Sequence, residues 1–194
     1  MHRHLALLAA TTLALAPLAA MAGDINYSYL DANYVHVDPD GTNTNADGFG
    51  LRGSMSITDN VFMFADYSDV GFNVDWADVR QRDYSVGAGF AIPASQNTSF
   101  YGKLSYVRAE AALPGPNLSD NGYGLAAGIR TRATDRLELE GAVSYKDYDT
   151  FGSDTSVNLA ARYFIAPTFA VGVETSLSDN AKVYGVGFRW QWGQ

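Results

Sequence analysis

The stretch "VYGVGFRWQW" (residues 183–192) decides the fold. Side chains alternate between the two faces of an extended strand. Tyr184, Val186, Phe188, Trp190 and Trp192 therefore share one face, and Val183, Gly185, Gly187, Arg189 and Gln191 share the other. A soluble sheet buries its aromatic face and solvates the opposite one, where glycine is disfavoured because it brings no side chain to pack. A closed barrel in a membrane inverts that demand: large apolar groups meet lipid, and small or polar groups crowd the interior. The stretch predicts the second arrangement.

The same alternation recurs upstream in segments of about a dozen residues: 25–37, 48–57, 61–70, 82–92, 99–108, 123–132, 137–146, 156–165, 169–178 and 182–192. A tilted transmembrane strand needs about 9–11 residues, and no helical period competes over these windows. The connections "TDN" (58–60), "PASQN" (93–97), "ATDR" (133–136) and "APT" (166–168) are short. Those at 38–47, 71–81, 109–122 and 147–155 are long and rich in Gly, Pro, Asn and Asp, and "DN" (179–180) makes a tight outer turn. Short turns at one end and long loops at the other predict an all-β, ten-stranded, antiparallel, up-and-down transmembrane β-barrel, with its short turns periplasmic. Eight strands is the alternative count.

The phase of each segment separates lipid from lumen. Outward sets such as Tyr123/Leu125/Ala127/Ile129 and Val157/Leu159/Ala161/Tyr163/Ile165 hold no charge. Opposite faces carry Asp31, Arg52, Asp66, Asp83, Lys103, Arg130, Arg132, Glu138, Glu140, Lys146, Arg162, Glu174 and Arg189 among small residues. An arginine facing lipid at the midplane costs about 2–4 kcal/mol, so these thirteen form the predicted lumen charge network. Barrels of eight strands are filled by side chains and those of 16–18 leave a channel. Ten strands predict a nearly plugged interior in which acids and bases pair across a narrow space, because unpartnered buried ions are costly. A narrow channel for small solutes or ions is the competing reading.

Strand one breaks phase. Ile25, Tyr27 and Tyr29 share one parity, and Leu30, Ala32 and Tyr34 the other. A bulge near Tyr29 or a later strand start reconciles them. Aromatic residues gather at both ends of the segments, Tyr67, Tyr84, Tyr106 and Tyr123 beside the long loops and Phe90, Phe100, Tyr163, Trp190 and Trp192 beside the short turns, as two interfacial girdles would require.

Composition supports export. Residues 1–22 have a short basic start, an apolar run and the small-residue site Ala20-Met21-Ala22, the layout of a secretory signal peptide, leaving 23–194 as one barrel domain. Cysteine is absent, which excludes disulfides and thiol chemistry. The formal net charge is −8, and loss of Arg3 with the leader makes it −9; an acidic chain without a basic cluster argues against nucleic acid. The one histidine beyond residue 22, His36, stands alone at a strand end, which predicts no catalysis. "DPDGTNTNAD" (38–47) offers Asp38, Asp40 and Asp47 as oxygen ligands but lacks the spacing of a calcium loop, so it reads as a soluble acidic loop. No cofactor or metal is expected. Arg80, Arg82 and Arg108 near the outer rim are placed to meet lipopolysaccharide phosphates.

"YSYLDANYVHVDPDG" (27–41), "ADGFGLRGSMSITDNVFMFADYS" (46–68) and the closing Gly187-x-x-Trp190-x-Trp192 resemble the small outer-membrane β-barrel family. The closest likeness is to diffusible-signal-factor-regulated, or quorum-regulated, outer-membrane proteins. The resemblance implies no enzymatic activity. The expected function is that of a monomeric protein of the cell outer membrane with a structural, adhesive or envelope role. The resemblance also implies that Gly187, Trp190 and Trp192 serve as a signal read by the outer-membrane assembly machinery.

Overall fold

The computed structural model describes residues 25–41, 44–74, 77–112 and 117–193. The signal-peptide reading of residues 1–22 lies outside them. Ten strands follow in order: β1 (Tyr29–Pro39), β2 (Ala46–Ser56), β3 (Val61–Val74), β4 (Ala77–Ser95), β5 (Thr98–Ala112), β6 (Leu118–Arg132), β7 (Leu137–Tyr148), β8 (Gly152–Ala166), β9 (Phe169–Ser178) and β10 (Ala181–Gln191). Each pairs with its neighbours in sequence, and β1 pairs antiparallel with β10 to close the barrel. Closure leaves no sheet edge, the condition under which strands can cross hydrocarbon with every backbone polar group satisfied.

The tight turns repeat one local device. Thr58 Oγ1 accepts the amides of Asn60 and Val61 at 3.3 and 3.0 Å, and Thr134 Oγ1 accepts those of Arg136 and Leu137 at the same distances. Ser178 Oγ does likewise for Asn180 and Ala181. A hydroxyl two or three residues ahead of the returning strand satisfies amides that the ladder leaves open. At the end of β4, Pro93 offers no N–H to the ladder, and the register with β5 shifts between Pro93 and Ser95.

Three of the four long outer connections, all but 38–47, proved to be mostly strand. The β3–β4 ladder runs without interruption from Val61↔Phe90 to Val74↔Ala77, through most of the region read as a loop at 71–81. Similarly, Ala109, Glu110 and Ala111 pair with Asp120, Ser119 and Leu118, inside the loop read at 109–122. Glycine and aspartate lower strand propensity, but antiparallel neighbours that are already paired extend their ladder at little further entropic cost. β4 reaches 19 residues, far beyond what a bilayer requires, so paired hairpins project past the tyrosine girdle. Gly152, with φ +85, makes the left-handed turn that starts β8.

Strand one begins at Tyr29, not at residue 25. Leu30 and Tyr34 face outward and Tyr29, Asp31 and Val35 are buried, so the later start accounts for the phase break. Residues 25–28 instead lie within the short-turn end of the barrel. There Ile25 and Tyr27 pack with Phe62, Phe64, Ala91 and Tyr101. Tyr27 stacks on Phe62 at 4.6 Å, and Asn26 Nδ2 donates to the Trp192 carbonyl at 2.7 Å.

Candidate functional site

A belt of ions crosses the interior above this aromatic cluster. Its members come from eight strands: Asp31 (β1), Arg52 (β2), Asp66 (β3), Arg130 and Arg132 (β6), Glu138 and Glu140 (β7), Arg162 (β8), Glu174 (β9) and Arg189 (β10). Sheet register makes several of them direct cross-strand neighbours, including Asp31↔Arg189, Asp31↔Arg52, Arg130↔Glu140 and Glu138↔Arg162. Glu138 sits at the centre with no exposed surface. Its Oε1 is 2.8 Å from Arg130, 3.1 Å from Arg189 and 3.4 Å from Arg162, and its Oε2 is 3.8 Å from Arg132.

The remaining members tie the belt together. Arg189 donates to both oxygens of Asp31 at 2.6 and 2.7 Å and lies 3.7 Å from the centroid of the Tyr29 ring. Arg162 donates to Glu140 at 2.7 Å, and the Tyr101 hydroxyl donates to the same carboxylate at 2.6 Å. Arg130 donates to the Asn26 carbonyl at 3.1 Å, joining the belt to the chain that fills the floor. Arg52 reaches Asp66 at 3.2 Å and Glu174 at 3.4 Å. Glu174 is therefore held by Arg52 and Asn33, not by Arg130, Arg162 or Arg189.

Three of the thirteen charges stand apart. Asp83, Lys103 and Lys146 line a cavity of about 350 Å³ above the belt. Among the described residues none of them has an ion pair within 4.0 Å. Lys103 Nζ rests 3.9 Å from the centroid of the Phe64 ring, and Asp83 accepts from Gln81 Nε2 at 3.0 Å. Asp83, opposite Ser68, and Lys146 lie nearer the outer hairpins than the belt residues Asp66 and Glu140, whereas Lys103 reaches down to the aromatic cluster.

Sequence reasoning missed residues 25–28 and Tyr101. Only the phase break at Tyr29 signalled the first, since a residue that plugs an end carries no periodicity. Nothing in the sequence distinguishes Tyr101 from a girdle aromatic except its inward parity.

The outer rim holds a second ionic group. Asp69, nearly buried, accepts from Arg80 at 3.0 Å and Arg82 at 3.3 Å, while Arg108 donates to Glu110 at 2.8 Å. The acidic stretch at 38–47 disperses its ligands: Asp40 pairs with Lys182 at 3.2 Å, and Asp47 accepts from the Tyr34 hydroxyl at 2.6 Å beside His36 at 2.8 Å. Among the described residues no three His, Cys, Asp or Glu groups converge as a metal site.

At the chain end, Gly187 faces inward where a Cβ would collide with Asn33 Oδ1 and the Ala32 carbonyl, so the closing seam requires glycine there. Trp190 faces outward, and Trp192 lies one residue past β10 with its ring 5.2 Å from that of Trp190.

The family described as "Outer membrane protein beta-barrel domain" matches residues 5–190. A protein of Nostoc sp. described as uncharacterized is 33% identical over 97 residues, which is 43% of this chain and 16% of that protein. The chain thus matches only a small part of that curated relative. Among solved structures, the NanC porin superposes with a TM-score of 0.52 at 11% identity, covering 83% of this chain and 100% of that one. The translocator domain of the autotransporter NalP from Neisseria meningitidis gives 0.51 at 9% identity, covering 84% and 88%. At such identities the likeness speaks for the barrel alone.

Proposed function

The chain belongs to the outer membrane protein beta-barrel domain family, and from that premise we propose a closed, non-conducting barrel whose projecting hairpins are its working surface. The observation that carries the reading is the ion belt centred on Glu138, sealed from below by residues 25–28. Paired side chains spanning the lumen offset one another's desolvation, and in this proposal they interrupt any continuous water path. The role is structural or adhesive at the envelope, with no reaction performed. Export through residues 1–22, with cleavage after Ala22, completes the proposal; the first residue of protein recovered from outer membranes should be Gly23. The likeness to quorum-regulated relatives adds the expectation that the protein accumulates at high cell density.

Planar-bilayer recording tests the closed barrel. The unmutated protein is expected to show no steady conductance, and Arg162→Ala combined with Arg189→Ala to open an ion leak. A large, stable conductance in the unmutated protein overturns the reading. It would favour a narrow channel, for which the cavity above the belt supplies the vestibule.

A further inference from the structure

The lipid-facing surface is not uniform around the barrel. Register aligns three outward rows across β2–β5. The lowest is Gly53, Ala65, Val86 and Tyr106, the next Leu51, Tyr67, Tyr84 and Arg108, and the highest Phe49, Asp69, Arg82 and Glu110. The surface thus passes from hydrocarbon-compatible to ionic within two rows, about 14 Å along the strands. In the lowest row two adjacent positions are small. They floor an outward groove of about 650 Å³, with Tyr84 and Val86 on its wall and Arg108 at its upper end.

Arg108 also lines a second hollow, of about 190 Å³, with Arg80, Arg82, the polar groups Asn117 and Ser119, the Glu110 carboxylate and an apolar edge of two alanines and Leu118. Asp69 and Glu110 fix these arginines in place, yet Arg82 and Arg108 each donate to an acid only through Nε. Among the described residues their η nitrogens, the planar fork that suits phosphate, make no further hydrogen bond to an acid, and Arg108 also meets Tyr106. Among the described residues the only other outward cation above the tyrosine girdle is Lys182, which is paired with Asp40. An apolar groove, a basic pocket and sugar-compatible polar groups therefore meet at one residue on one side of the barrel.

We propose that this face holds one molecule of a phosphorylated glycolipid of the outer leaflet. Its phosphate is gripped by Arg82 and Arg108, its sugar lies against Asn117 and Ser119, and one acyl chain runs down over Gly53 and Ala65. The groove alone would accept any acyl chain, and the arginines alone any anion. Their connection through Arg108 selects an amphiphile carrying phosphate at the hydrocarbon boundary, and Asn117 and Ser119 beside the arginines favour a sugar head group over a small phosphodiester.

Native mass spectrometry and fluorescence titration test this with phosphatidylcholine vesicles containing a short-chain lipopolysaccharide, its dephosphorylated form or phosphatidylglycerol. The unmutated protein is expected to bind the phosphorylated glycolipid at least tenfold more tightly than either alternative. Arg82→Ala with Arg108→Ala should lose that preference. Ala65→Leu, which fills the groove and leaves every charge, should weaken binding severalfold, whereas Val173→Ala on β9 should change nothing. Unchanged affinity in Ala65→Leu, or equal binding of the dephosphorylated glycolipid or of phosphatidylglycerol by the unmutated protein, overturns the proposal. The comparison of lipids needs no variant, so a misfolded mutant leaves the test intact.

Discussion

Replacing Glu138 by glutamine should expose how much of the barrel's stability rests on charge balance in its interior. The substitution nearly preserves shape and removes one negative charge from a belt of five acids (Asp31, Asp66, Glu138, Glu140, Glu174) and five arginines. The four arginines around it lose unequally. Arg162 keeps Glu140 at 2.7 Å, and Arg189 keeps Asp31 at 2.6 Å. Arg132 loses its one ion pair among the described residues, a long one at 3.8 Å, but it is 13% exposed and keeps the Phe164 ring at 4.3 Å. Arg130, 1% exposed, keeps Glu140 only at 4.0 Å, with one backbone carbonyl and the faces of the Tyr27 and Tyr29 rings at 4.8 and 5.4 Å.

The substitution thus strands one buried cation. Breaking a buried ion pair from one side costs about 3–5 kcal/mol, and the surviving contacts place this case near the lower end, a roughly hundredfold shift in the unfolding equilibrium. Arg130→Met in the same chain removes the stranded charge, so the double variant should cost about 2 kcal/mol less than the sum of the singles. Urea unfolding in detergent micelles, followed by tryptophan fluorescence and by heat-modifiable migration, measures all three. A loss below about 1 kcal/mol for Glu138→Gln, or strict additivity with Arg130→Met, would refute the reasoning.

Leu125→Arg should destabilise the barrel in bilayers by about 2–4 kcal/mol, while Ala126→Ser, facing the lumen, stays within about 0.5 kcal/mol; equal effects would show that the two faces of β6 are misassigned. Trp190→Asp with Trp192→Asp places charge where the closing strand meets the lipid boundary. Folded yield in outer membranes should fall sharply, and normal yield would remove these residues from assembly. Above the girdle, burial pushes the Asp120 carboxyl up, but amides of Phe151, Thr150 and Asn121 donate to it and more than offset that, holding it below the usual range. A depressed folded value means stabilisation that is complete above about pH 4 and lost as pH falls through the folded value. Hydrogen exchange at Thr150 and Phe151, corrected for its intrinsic rate, should therefore accelerate on acidification in the unmutated protein and show no such acid-dependent step in Asp120→Asn.

Most of the architecture was legible because a membrane barrel writes its inside and outside directly into a two-residue period. Tyr123, Leu125, Ala127 and Ile129 could face nothing but lipid once Arg130 and Arg132 were assigned to the interior. Strand ends were less legible. Residues 71–74 and 109–112 carry glycine, asparagine and charge, and they remain strand only because an antiparallel neighbour is already in register. Partner choice inside the lumen was the least legible. Parity puts Glu174 and Arg189 on the same side of the sheet, but not at the height that hands Glu174 to Arg52 and Arg189 to Asp31. That height follows from stagger between strands, which turn lengths set and a single segment cannot reveal.

The seam between β1 and β10 has a kinetic consequence. Nine of the ten strand pairings join consecutive strands and can zip from their connecting turns as local hairpins. The tenth joins residues separated by as many as 162 positions, Tyr29 with Gln191, and by 158 for Asp31 with Arg189. Loop-closure entropy rises only logarithmically with separation, so a gap of this size adds about 2 kcal/mol over a twelve-residue loop, and it falls on a single event. Contact order is thereby concentrated in one step. Until that step, an open ten-strand sheet presents two free edges, and Arg189 remains apart from Asp31. Closing the ring supplies the hydrogen-bond ladder and this ion pair together, so completion of the cylinder and neutralisation of its centre are one cooperative transition.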